Sequence, residues 1–213
     1  MSSWCQATNS SSRAAGLGNS EALGSGPMSI ETELAAPVFL VAVPQMADPN
    51  FSRGVVFILE HDENGSMGLI INKEGELDIA SFCESQEMKF NGDGSDAAVF
   101  KGGPVQPERA FILHTSEHEG PETEHIVDGV RLSYSLESLK LIADDPPADL
   151  RVYLGYAGWG PGQLAKEIQA GAWLVASAEP EFVFHRAPDA VWEGTLRRMG
   201  IEPALLMHSG MVH

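Results

Sequence analysis

The run Gly155-Tyr156-Ala157-Gly158-Trp159-Gly160-Pro161-Gly162-Gln163-Leu164 follows an apolar, strand-like segment and precedes a helical one. Strand, glycine loop and helix in that order can turn backbone N–H groups toward an anion. The spacing matches neither G-x-G-x-x-G nor a P-loop with its Lys and Ser/Thr. Gly158, Trp159, Gly160 and Gln163 are therefore candidate ligand-binding residues. The plainer reading, which the pattern favours, is a tight connection in which Trp159 covers the core and the glycines supply unusual backbone angles. Gly102 and Gly103, within Lys101-Gly102-Gly103-Pro104, form a second glycine turn whose simplest use is a bend into the next strand.

Arg53 stands out against the surrounding negative charge. It either holds a carboxylate in place or faces a cleft and grips an anionic ligand with both guanidinium edges. Asn72, followed by Lys73 at a strand end, is similar in kind. His114, His118 and His125 lie among Glu117, Glu119, Glu122, Glu124 and Asp128, a composition that contains the donors of a metal site. Gly120-Pro121 prevents one continuous helix from presenting them together, and no H-E-x-x-H exists. A solvated acidic loop is expected, and neither a metal nor a cofactor is assigned. No G-x-S-x-G is present, and no catalytic dyad can be assigned.

Cys5 and Cys83 cannot make a disulfide framework or, alone, a cysteine zinc site. A reducing, cytoplasmic setting fits, with Cys83 as a small buried hydrophobe. Thirteen Lys plus Arg against 30 Asp plus Glu give a net charge of −17. That charge repels phosphate backbones and anionic lipid surfaces, so direct nucleic-acid binding is disfavoured. No run of 18 apolar residues suggests a membrane helix.

The elements that would carry these residues follow from periodicity and punctuation. Residues 1–36 are rich in Ser, Ala, Gly and Asn without hydrophobic periodicity, which predicts a disordered extension, with Met28 as a possible true start. One domain is expected over residues 37–213. Val38–Val43 reads as a buried strand ended by Pro44, and Phe51 as an anchor in the loop after Asp48-Pro49. Gly54–His61 and Ser66–Asn72 form a hairpin around Asn64-Gly65. Asp78–Glu84 reads as a short helix and Ala98–Lys101 as a strand. Ala110–Thr115, Ile126-Val127 and Val130–Ser133 are further strands. Ser135 should cap a helix over Leu136–Ala143. Leu150–Tyr156 is a strand, Gln163–Ala170 a helix with Pro161 in its first turn, Ala172–Ala176 a strand and Asp189–Met199 a last helix. Strands in hairpin-like groups favour α+β with a largely antiparallel or mixed sheet.

Read together, several motifs in order resemble the YqgE/AlgH family. They are Phe39-Leu40-Val41-Ala42-Val43-Pro44, Asp48-Pro49-x-Phe51-x-Arg53, Glu60-His61 with Gly65-x-Met67-Gly68, and Asn72. Gly102-Gly103-Pro104-Val105, Phe111-Ile112-Leu113-His114, Gly155–Leu164 and Ala172-Trp173-Leu174 continue the match. The resemblance implies a single compact α+β domain with a bifurcated, partly barrel-like sheet and flanking short helices. It also implies a cytoplasmic protein linked to transcriptional regulation, with no settled activity. Leu59 stands where many members carry Cys, and Glu74 where Pro is frequent, so a thiol role at position 59 does not carry over. The leading expectation is a non-enzymatic regulatory or ligand-binding protein acting through an unknown protein or small-molecule partner. The alternative is an enzyme acting on an anionic small molecule through Arg53, Asn72 and the Gly155–Gln163 loop, which requires them to share a cleft.

Overall fold

A computed structural model describes residues 34–94, 97–115, 120 and 122–209. The extension expected over residues 1–36 falls, apart from Leu34 to Ala36, outside the described residues, as do Glu117, His118 and Glu119. The first elements are β1 (Val38–Ala42), β2 (Val55–Asp62), β3 (Gly65–Ile70), β4 (Glu74–Asp78), α1 (Ile79–Ser85), β5 (Ala98–Lys101), β6 (Val105–His114), β7 (Thr123–Val127) and β8 (Val130–Ser133). They are followed by α2 (Leu136–Asp144), β9 (Leu150–Trp159), α3 (Gln163–Gln169), β10 (Trp173–Ser177), α4 (Pro180–Phe184), α5 (Pro188–Arg198) and α6 (Pro203–Ser209).

The strands join in one curled half-barrel sheet in the order β10-β1-β2-β3-β9-β6-β8-β7, with β4 and β5 as a side arm. Every pairing is antiparallel except that of β5 with β9. Strand β9 is where the sheet forks. One edge pairs with β6 from Leu150 to Tyr156. The other edge pairs first with β5 at Tyr153 and Leu154, then with β3 at Ala157 to Trp159.

Side-chain alternation sorts the strands between two faces. Phe39 and Val41 of β1, with Phe57 of β2 and Phe111 of β6, fill the concave side under α4 and α5. Leu40, Ala42, Val56 and Ile58 point the other way, to an outer cluster with Leu164 of α3. Ile112 and Val152 join Phe82 of α1 and Leu139 of α2 in a second outer cluster. Each large apolar side chain buried in these clusters contributes about 1.5–3 kcal/mol. The capping helices start where the residues dictate. Asp78 accepts from the Ser81 N–H at 2.7 Å, and Ser135 from the Ser138 N–H at 3.1 Å.

Four local expectations differ from the structure. Strand β9 does not end at Tyr156 but runs through Gly158 to Trp159, because Ser66 and Met67 of β3 offer it a ladder. Pro161 therefore precedes the helix rather than opening it, and the N-cap position belongs to Gly162 at φ 66°. At the β2–β3 hairpin the positive φ falls on Gly65 (143°), not on an Asn-Gly pair. The turn is held by the Asp62 carboxylate, which accepts from the N–H groups of Asn64 and Gly65. Finally, Asp189–Met199 is not the last helix, since α6 follows it, and β4 and α4 were absent from the periodicity. Strand β4 is a mostly exposed, polar strand, and α4 spans only five residues after Pro180.

Candidate functional site

The residues singled out by sequence fall into separate groups. Arg53 sits in the turn entering β2 with φ 51°, a left-handed conformation unusual for a side-chain-bearing residue. Asn72 holds that turn: its Nδ2 donates to the Arg53 carbonyl at 2.9 Å and its Oδ1 accepts from the Val55 N–H at 2.8 Å. Lys73 donates to the Ser52 carbonyl at 2.6 Å, and desolvation lowers its ammonium pKa. The Arg53 guanidinium lies 5.2 Å from the Trp192 ring centroid. Trp192 in turn belongs to the concave cluster and donates to the Ala42 carbonyl at 2.7 Å.

Gly102 and Gly103 lie at the fork of the sheet. The Gly102 N–H donates to the Leu154 carbonyl and the Gly102 carbonyl accepts from the Ile70 N–H, both at 2.8 Å, so this one residue stitches β3 to β9. A Cβ at Gly102 would collide with the Gly155 carbonyl, and one at Gly103 with the Tyr156 backbone. These glycines are required by close backbone approach.

Trp159, Gly160 and Gln163 converge on a residue that the sequence did not single out, Glu167. One carboxylate oxygen accepts from both the Trp159 and Trp173 indoles, at 2.9 and 2.8 Å. The other accepts from Gln163 Nε2 at 2.9 Å, while Gln163 Oε1 accepts from the Gly160 N–H at 3.1 Å. Phe51 packs against both rings, at 6.1 Å from Trp159 and 5.4 Å from Trp173. Gly158 pairs with Met67 in the ladder. The Gly160 N–H thus already has an acceptor.

His114 is fully buried. Its Nδ1 faces the Thr115 carbonyl at 2.7 Å, an acceptor that calls for a proton on Nδ1, and Nε2 lies 3.0 Å from the Ser133 hydroxyl, from which the neutral ring accepts. Thr123 Oγ1 extends this chain at 2.7 Å from Ser133. The void beside it, about 10 Å³, is the size of one water. Among the described residues no three His, Cys, Asp or Glu side chains are placed to hold a metal.

The structure thus brings Arg53 to Asn72, and Trp159 to Gly160 and Gln163. It does not bring these groups together with one another or with His114. Trp159 packs in the outer cluster under α3, whereas Arg53 stacks on a concave-side ring and His114 lies beside Ile142 of α2.

A concave feature lies elsewhere. A groove of about 170 Å³ opens between α1, α2 and β6. Glu108, Ala110 and Ile112 line it from one face of β6, at i, i+2 and i+4. Phe82 and Gln86 enter from α1 at i and i+4, and Leu136 and Leu139 from α2 at i and i+3. Tyr134 closes one end. Its hydroxyl donates to Glu124 at 3.0 Å, and burial together with that carboxylate pushes its pKa up to about 12. None of these residues was a sequence candidate. The helical and strand periodicities were visible, but the meeting of α1 and α2 across β6 was not.

Fold and groove define an α+β half-barrel protein whose glycine-rich segments serve close backbone packing. The chain belongs to the AlgH-like family, whose model matches residues 39–204. A UPF0301 protein of Myxococcus xanthus is 44% identical over 172 residues, covering 81% of this chain and 94% of its own length. A UPF0301 protein of Ruegeria pomeroyi is 40% identical over 173 residues, covering 80% and 94%. The solution structure of AlgH from Pseudomonas aeruginosa superposes with a TM-score of 0.68 at 33% identity, covering 87% of this chain and 97% of that one. A crystal structure from Corynebacterium diphtheriae, 24% identical with a TM-score of 0.61, shares the fold.

Proposed function

We propose that this chain is a non-enzymatic binding protein that regulates through a small ligand or a protein partner. The observation carrying this reading is how the candidate polar groups are used. Asn72, Gln163, Glu167 and His114 each make hydrogen bonds that hold backbone or buried rings. The groove between α1 and α2, by contrast, is concave and part apolar. The enzymatic alternative needs Arg53 and the Gly155–Gln163 loop in one cleft, and the position of the Arg53 guanidinium 5.2 Å from the Trp192 ring favours the binding reading over it. A transcription-related role would run through a protein partner, since a charge of −17 opposes direct contact with DNA. No helix among the described residues is long and apolar enough to cross a membrane.

Thermal-shift screening of the full chain against a metabolite library, with affinity capture from a bacterial lysate, tests the reading. A ligand or a specific partner that raises Tm without being consumed is the expected result. Turnover of a library compound, or failure of both arms, would overturn it.

A further inference from the structure

Resting on the binding role proposed above, we infer that the α1–α2 groove takes a small amphipathic amine, with a single-ring or branched apolar body and a cationic head held at Glu108. The volume sets the body. About 170 Å³ is close to the cavities of about 150 Å³ that hold one benzene ring, and well below the range for larger ligands. The floor is apolar: Phe82, Ile112 and Leu139 are buried, and Ala110 is half-buried.

Charge sets the head. Glu108 is the formal charge on the lining, and among the described residues its carboxylate has no hydrogen bond or ion pair. The other rim groups are engaged. The Ser135 hydroxyl caps α2 and the Tyr134 hydroxyl donates to Glu124. Arg109, next along β6, stacks over the rings of Phe111 and Tyr134 at 5.0 and 5.7 Å. The first turn of α2 also faces the groove and would favour an anion, but only with about half an elementary charge. Glu137 in that first turn already complements it. A full carboxylate charge at Glu108 outweighs what is left, so a cation is preferred over an anion.

The test titrates three probes of one shape, benzylamine, benzyl alcohol and benzoate, into the full chain while backbone amide signals are followed by NMR. Benzylamine is expected to bind at millimolar concentration and shift the amides of Phe82, Ala110, Ile112 and Leu139. Benzyl alcohol should bind more weakly and benzoate not at all. Glu108→Gln, an exposed change that leaves the fold intact, should weaken benzylamine about threefold and narrow its lead over the alcohol. Equal or tighter binding of benzoate overturns the amine assignment. So does benzylamine binding that is indifferent to Glu108→Gln. If no probe moves the groove amides the inference fails. A metabolite that still raises the Tm of an Ala110→Leu chain would then leave the broader binding role standing without it.

Discussion

Glu167 gathers three donors onto two oxygens, and two of those donors are indoles buried to within a few per cent. Removing the acceptor leaves both N–H groups without a partner, at about 1–3 kcal/mol for each. Glu167→Ala is therefore expected to lower unfolding free energy by about 2–5 kcal/mol in urea titration, with a shift in tryptophan emission. Glu60 shows the opposite balance. Desolvation first, then the carboxylates of Glu124 and Asp62, raise its pKa above the ordinary value. A raised folded pKa means that the ionised form is disfavoured by the fold, so stability is lost as pH rises through that pKa. Glu60→Gln should have a higher Tm than the parent at neutral pH, and the difference should vanish as the pH falls below the ordinary glutamate range. The sequence offered Trp159 and Gln163 as neighbours, but not the carboxylate between them. Glu167 is legible only as Gln163 plus four; its meeting with Trp173 depends on the turn at Gly171, where φ is 76°.

At the scale of elements, the glycine-rich segments illustrate how a pattern can be visible and its purpose hidden. Hairpins, caps and most strand cores were readable, because alternation and N-cap residues act over a few neighbours. The ladder that extends β9 to Trp159 was not, since it depends on Met67, some ninety residues earlier in the chain. The spacing of Gly102, Gly103 and Gly155 likewise reflects a crossing of two distant segments, where a Cβ at Gly102 would meet the Gly155 carbonyl and one at Gly155 the Gly103 carbonyl. Gly103→Ala would drive a methyl group into the Tyr156 backbone, whereas a methyl group at Gly129 meets nothing within 4 Å. Gly129→Ala should cost only about 1 kcal/mol for its left-handed backbone (φ 81°). Gly103→Ala should cost several times more, or prevent folding, and paired denaturation curves separate the two.

For the whole molecule, the question is what fastens the helical layer to the curled sheet. Arg151 of β9 reaches across the concave side and donates to the carbonyls of Ile71, Phe184 and Arg186, at 3.4, 3.2 and 3.0 Å. Its guanidinium also lies 4.7 Å from the centre of the Phe100 ring. Arg151→Met keeps the aliphatic stem and removes the donors. Hydrogen exchange should then show the amides of α4 opening at lower free energy while those of β2 and β3 stay protected, with a global loss of about 2 kcal/mol. The overall acidity and the α+β class were plain from composition and strand grouping. The fork was not derivable from local pattern and entered only through family resemblance, because it is a property of one strand shared by three partners.

That sharing also governs the order in which the chain becomes a protein during synthesis. Strands β1 to β3 and β5 to β8 are all synthesised before residues 150–159 exist, and neither arm of the fork can close without them. Synthesis runs at about 5–20 residues per second, so the unpaired edges of β3 and β6 wait for seconds, open to wrong partners. The net charge of −17 becomes useful in that interval: like-charged nascent chains repel one another while their sheet is still missing its spine.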